Sequence, residues 1–147
     1  ANIDGFETTS PHRSVYLPIV RKQVPDSLDL FNFADPGTGL GKRETTTVPS
    51  QALYLMNNAF VRSQAEVMAN WLIKNDAIKP DQKGAAAFYL AYGRPPSEEN
   101  RKASIFFKKS LELAGQETSS DRAAAYQQAL TNFCHALFAS ADFLYVN

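Results

Sequence analysis

The sequence predicts an all-α protein, an irregular helical bundle of about four to five helices with an extended N-terminal arm packed across it. Three observations carry that expectation. From residue 57 onward the apolar side chains recur at a 3.6-residue period. Five of the eight prolines and four of the seven glycines fall in the first fifty residues, where they fix φ or remove a donor and leave the chain extended. No alternating apolar–polar run exceeds four residues, and the best strand candidate, Val15 to Val20, is interrupted by Pro18. The 147 residues suit one domain around one core, with the arm over 1–48 and the bundle over 49–147. The polar, unpatterned start from Ala1 to Pro11 reads as the cut edge of a larger protein or as a processed chain.

Pro25 to Phe33 can form a short helix with Leu28, Phe31 and Phe33 inward, and Pro49 to Met56 another. Asn57 or Asn58 can cap a helix that continues to about Asn75, with Val61, Ala65, Met68 and Leu72 on one face. Pro80 fits the first turn of the next helix, where its missing N–H costs nothing. Ala85, Phe88, Tyr89 and Tyr92 are its expected buried stripe. Gly93 suits a left-handed cap, and Pro95 and Pro96 stop the helix. A further helix starts at Ser97, with Glu98 and Glu99 at its positive end. Its stripe is Ala103, Phe106, Phe107, Ser110, Leu111 and Ala114, and Gly115 ends it. The last helix is capped by Ser119 or Ser120 and buries Ala123, Tyr126, Leu130, Phe133, Leu137 and Ala141.

Composition excludes several functions. Fifteen Lys and Arg balance fifteen Asp and Glu, so no global basic field draws nucleic acid. No apolar run approaches the length of a membrane span. The single cysteine cannot form an internal disulfide or a multi-cysteine metal site. His12 and His135 are too far apart in sequence to suggest metal-ligand spacing, and no c-type haem motif is present. The run Gly37-Thr38-Gly39-Leu40-Gly41-Lys42 fails as a phosphate loop. Pro36 stands where the first glycine is needed, and Arg43 where a Mg²⁺-binding hydroxyl is needed. No cofactor is therefore expected. Cys134 and His135 are adjacent but about 100° apart on a helix, a poor nucleophile–base pair. Cys134 falls on the apolar face beside Leu130 and Leu137; His135 falls on the face of Gln128, Thr131 and Asp142.

The segment from Arg43 to Phe60 carries more polar specificity than its neighbours. Three threonines, Thr45 to Thr47, can cap a helix and satisfy irregular backbone. Arg43 can brace Asp35 or arm carbonyls where arm meets bundle. Gln51 and Asn57 are amides set among apolar residues and so need fixed partners. Arg13, Asp35, Arg43, Thr47, Gln51 and Asn57 together form the candidate polar network or ligand pocket. A structural network is the favoured alternative of the two.

At this segment a family resemblance becomes legible. Arg13-Ser14-Val15-Tyr16, then Phe31-Asn32-Phe33-Ala34-Asp35-Pro36, then Lys42 through Asn57 occur in order. With Gly93-Arg94-Pro95-Pro96-Ser97-Glu98-Glu99 and the terminal Phe143-Leu144-Tyr145-Val146, they resemble the "PSD-one" C-terminal domain of unknown function, abundant in planctomycetes. The resemblance runs from Arg13 to Asn147. It departs at Asn32, where many relatives carry Asp, and at Lys42, where many carry Arg. It implies a C-terminal domain of a large exported protein, extracytoplasmic, in some cases downstream of a c-type cytochrome domain, and it implies no reaction. The resulting expectation is a non-catalytic helical module. It docks upstream domains of the same polypeptide or a protein partner, binds no nucleic acid and enters no membrane. Exposed arm residues Val15, Tyr16, Leu17 and Val20 would make the isolated fragment self-associate. The alternative is part of an enzyme, redox-linked or glycan-directed, completed by domains outside this chain.

Overall fold

The computed structural model describes Tyr16 and residues 24–33, 49–98, 100–115 and 121–144. The described residues are all-α, with no strand among them. The helices are α1 (Asp26–Leu30), α2 (Pro49–Asn57), α3 (Ala59–Lys74), a 3₁₀ turn (Pro80–Gln82), α4 (Lys83–Tyr92), α5 (Arg101–Gly115), α6 (Arg122–Phe138) and α7 (Ala141–Leu144). The strand candidate Val15–Val20 lies outside the described residues, except Tyr16. Contacts divide the chain into two compact units, Ala1–Tyr54 and Leu55–Asn147, with the boundary inside α2.

In the first unit α1 is short because its ends are closed by its own backbone. The Pro25 carbonyl accepts from Leu28 N and Asp29 N at 2.9 and 3.0 Å. At the other end Asn32 takes φ +56°. Phe33 N reaches back to Leu28 O at 2.9 Å, and Asn32 N to Asp29 O at 3.0 Å. These two bonds around a left-handed residue make a Schellman closure. Asn tolerates that conformation better than most side chains.

The second unit is built on α3 and α6. Ala65 and Ala69 are wholly buried on α3 with Leu72, and Leu130, Phe133, Cys134 and Leu137 face them from α6 or lie in the same core. Two alanines one turn apart leave room for the neighbouring helix to approach. Asn58 starts α3: its side chain accepts from Phe60 N at 2.8 Å and Val61 N at 3.3 Å. Asn75 ends it and then accepts from Ala77 N. Pro80 opens the 3₁₀ turn that leads into α4, and Gly93 closes α4 at φ +69° as a left-handed cap.

Three helices differ in detail from the sequence expectation. On α4, Lys83, Ala87 and Phe88 are buried, with Gly84 and Ala91 half-buried beside them; of the expected stripe Phe88 is buried and Tyr92 half-buried, but Ala85 is exposed and Tyr89 is 56% exposed. The reason is steric. A Cβ added at Gly84 would stand 3.1 Å from the Phe107 ring, so α4 meets α5 along the side of Gly84, which turns Ala85 and Tyr89 outward. On α5, Phe107 is buried and Phe106 is 62% exposed, because one residue rotates the side chain by about 100°. That helix also begins at Arg101, later than Ser97, since Asn100 takes the capping position and its carbonyl accepts from Ser104 N. Finally, the last helix breaks at Ala139 and Ser140, so Ala141 starts a separate turn and is exposed; Ala123, at the other end, is exposed too. Ser119 and Ser120 lie outside the described residues, and Asp121 occupies the N-cap of α6.

Aromatic rings finish the core. Phe107 stacks on Phe133 at 4.3 Å and 20°, and Phe88 meets Phe133 edge-on at 5.7 Å. Lys83, 8% exposed, sends its ammonium to the Ile73 carbonyl at 3.0 Å. Ile73 lies in the last turn of α3, where carbonyls lack helical partners and the dipole is negative.

Candidate functional site

Of the six residues singled out in the sequence, Arg13, Asp35, Arg43 and Thr47 lie outside the described residues. Gln51 and Asn57 are described, and they do different things. Gln51 is 4% exposed and donates from Nε2 to the Leu30 carbonyl at 3.0 Å. Leu30 is the last residue of α1, so the amide caps a carbonyl that the helix leaves open. Phe31 meets Tyr54 edge-on at 5.8 Å beside it. Asn57 is the last residue of α2 and borders a groove in the second unit.

That groove, about 610 Å³, runs between α3 and α6. Arg62, Ser63 and Glu66 form one wall; Gln127, Gln128, Thr131, Asn132 and His135 form the other. The polar wall exists because α6 is amphipathic: its inner face is spent on Leu130, Phe133, Cys134 and Leu137. Several amides are already fixed. Gln127 donates from Nε2 to Asn70 Oδ1 at 3.0 Å, and Gln128 to Asn132 Oδ1 at 2.8 Å. His135 Nε2 lies 3.0 Å from the Leu55 carbonyl. A carbonyl only accepts, so Nε2 carries the proton and caps an open carbonyl in the last turn of α2. Among the described residues, the Arg62 guanidinium, the Glu66 carboxylate and the Thr131 hydroxyl have no hydrogen-bond or ion-pair partner.

The sequence placed His135 with Gln128 and Thr131, and the groove brings those three together. It also placed Asp142 there, and the break after α6 moves that residue elsewhere. Asp142 instead accepts from Arg94 at 2.8 Å and from Asn100 at 3.2 Å. Arg94 also donates to Asn100 at 3.2 Å and lies 5.6 Å from the centre of the Tyr92 ring. Tyr92 shares its hydroxyl with Ser140 at 2.8 Å and Leu137 O at 3.1 Å. Burial raises the Tyr92 phenol above its ordinary pKa. The Gly93-to-Ser97 turn thus clasps the ends of α4, α6 and α7. The Arg94–Asp142 pairing could not be found by periodicity, since it spans 48 residues and depends on the break at Ser140.

The neighbouring thiol is chemically quiet. Cys134 is wholly buried, and desolvation pushes its pKa up to about 12. The thiolate, which is the nucleophile, is scarce at any ordinary pH. Among the described residues no three His, Cys, Asp or Glu side chains gather to hold a metal ion. A second hollow of about 800 Å³ lies between the end of α3 and the start of α6, lined in part by Lys74, Arg122 and Tyr126. The Tyr126 hydroxyl is buried there without a partner, and burial raises its pKa.

The family model for PSD1, a protein of unknown function (DUF1553), matches residues 4–107. The match covers α1 to α4 and half of α5. The groove wall on α6 and the terminal Phe143-Leu144-Tyr145-Val146 lie beyond it, so the resemblance is shorter at that end than the sequence expectation of 13–147. No curated protein matches the chain. No solved structure does either.

Proposed function

The chain belongs to the PSD1 family of proteins of unknown function, and from that premise we propose that it is a non-catalytic helical module of a large extracytoplasmic bacterial protein, docking a neighbouring domain or a protein partner. One observation carries the reading: large apolar side chains stand exposed on several helices. On α3, Val67 and Trp71 are 60% and 50% exposed and share one face at i, i+4. Tyr89 and Leu90 on α4, and Ile105, Phe106 and Leu113 on α5, are more than half exposed as well. Scattered exposed leucines are ordinary, but this many large side chains favour a covered surface. Extracytoplasmic placement rests on the family resemblance. Among the described residues no helix is long and apolar enough to cross a membrane.

Hydroxyl-radical footprinting tests the reading. The excised chain is compared with the intact native protein, purified with whatever it is attached or bound to. Trp71, Tyr89 and Phe106 should be oxidised several-fold more slowly in the intact protein. Equal oxidation at all three positions would remove the docking reading.

A further inference from the structure

We propose that the hollow between the end of α3 and the start of α6 binds a small carboxylate carried on an apolar body. The inference is independent of docking through the exposed apolar side chains and rests on other residues. Three observations converge there. The Tyr126 hydroxyl is buried with no hydrogen-bond partner, and a buried donor without an acceptor is costly. Burial also raises its pKa, so it keeps its proton at neutral pH. Lys74 and Arg122 line the same hollow and are exposed, and neither the ammonium nor the guanidinium has a hydrogen-bond or ion-pair partner. Among the described residues, no acidic side chain lines it. The rest of the wall is mostly apolar, formed by Ile73, Ala123, Ala124 and Tyr126.

These features select the ligand. A carboxylate oxygen accepts from Tyr126 Oη, and its charge offsets the cations. The helix ends do not oppose it. α6 starts here, with a positive first turn that the Asp121 side chain does not cap. At the end of α3, Lys83 already holds the Ile73 carbonyl at 3.0 Å. The unpaired Lys74 and Arg122 side chains lose no bond when they turn to admit a ligand. Other occupants use only part of the site. A water molecule satisfies the hydroxyl but leaves the charges and the apolar wall as they are. Inorganic phosphate leaves the apolar wall uncovered, and a neutral hydrocarbon leaves the hydroxyl unpaired. A carboxylate on an apolar chain uses all three, and an apolar lining with a few convergent polar groups is the usual form of a small-molecule site. The hollow, about 800 Å³, has room for it.

The test titrates the ¹⁵N-labelled chain with hexanoate, with hexanamide and inorganic phosphate as comparators. Hexanoate should give saturable shifts at the Ala123, Ala124 and Tyr126 backbone amides. Hexanamide and phosphate should each bind about tenfold more weakly. Tyr126→Phe keeps the ring and should weaken hexanoate binding about tenfold, as should Lys74→Gln combined with Arg122→Gln. Urea unfolding without ligand is the second readout. Loss of an unpartnered hydroxyl should leave the Tyr126→Phe midpoint unchanged or raised. Absence of saturable shifts up to about 10 mM hexanoate overturns the proposal. So does hexanamide or phosphate binding as tightly as hexanoate, wild-type affinity in either variant, or a lowered Tyr126→Phe midpoint. The oxidation of Trp71 tests the apolar surface separately.

Discussion

The inner and groove faces of α6 are one residue apart in sequence and opposite in chemistry. Cys134 is wholly buried among Leu130, Phe133 and Leu137, and its thiol is held neutral. His135, the next residue, is half-buried and bonded to the Leu55 carbonyl at the groove. The inner face is stabilised by packing, so any loss of volume is felt. The groove face is built of amides that bond one another and remain open to solvent, so it tolerates change. Reactive residue types do not make a reactive site; a rotation of about 100° per residue separates the two side chains into different environments.

The sharpest way to break this contrast is to alkylate Cys134. With its pKa near 12, iodoacetamide at pH 8 should react about a thousandfold more slowly than with an ordinary thiol. In denaturant the rate should become ordinary. Fast labelling of the native chain would show that the inner face is open. The same burial makes stability depend on pH. A folded thiol pKa above the ordinary 9.0 means that the unfolded chain loses its proton first. The stabilisation is therefore complete below pH 9 and is lost as pH rises toward 12. Tyr92 and Tyr126, also raised from 10.0, add to the same fall. Urea unfolding at stepped alkaline pH should show it, and Cys134→Ala should make the slope shallower.

Truncation gives the next effect. Phe133→Ala removes a ring stacked on Phe107 and edge-on to Phe88, and should cost about 3–5 kcal/mol. A loss under about 1.5 kcal/mol by urea unfolding would mean that the core closes over the cavity. Lys83→Ala leaves the Ile73 carbonyl without its charged donor and should cost about 1.5–3 kcal/mol. Lys83→Arg separates charge from geometry: full retention would show that any cation suffices.

Smaller effects belong to exposed polar groups. Asp142→Ala breaks the clasp to Arg94 and Asn100, but that ion pair is 44% and 40% exposed, so about 0.5–1 kcal/mol is expected. Thr131→Ala on the groove face should change stability by less than about 0.5 kcal/mol. A cost near that of Phe133→Ala would show that the groove is a structural element and not an open surface.

Much of the helical layout was legible locally. Asn58 as a cap and Gly93 as a left-handed stop are backbone needs that only certain residues meet, so they can be read in place. The burial of Leu72, Leu130, Phe133 and Leu137 followed from period alone. Side-chain partners were less legible. Gln51 could be recognised as needing a fixed partner, but not that the partner is the last carbonyl of α1, 21 residues earlier. The groove was half-visible as the polar stripe of Gln128, Thr131 and His135, while its Arg62 and Glu66 wall required knowing that α3 lies alongside.

By itself the sequence determined most of the helices among the described residues, with the Asn58 start and the Gly93 stop, because capping and periodicity act within a few residues. Only the tertiary structure decided which face of α4 is buried, since that depends on the room Gly84 leaves for Phe107. It likewise decided that Asp142 meets Arg94 and not His135, since a break at Ser140 redirects the chain. Both outcomes turn on contacts between residues far apart in the chain, which no local pattern encodes.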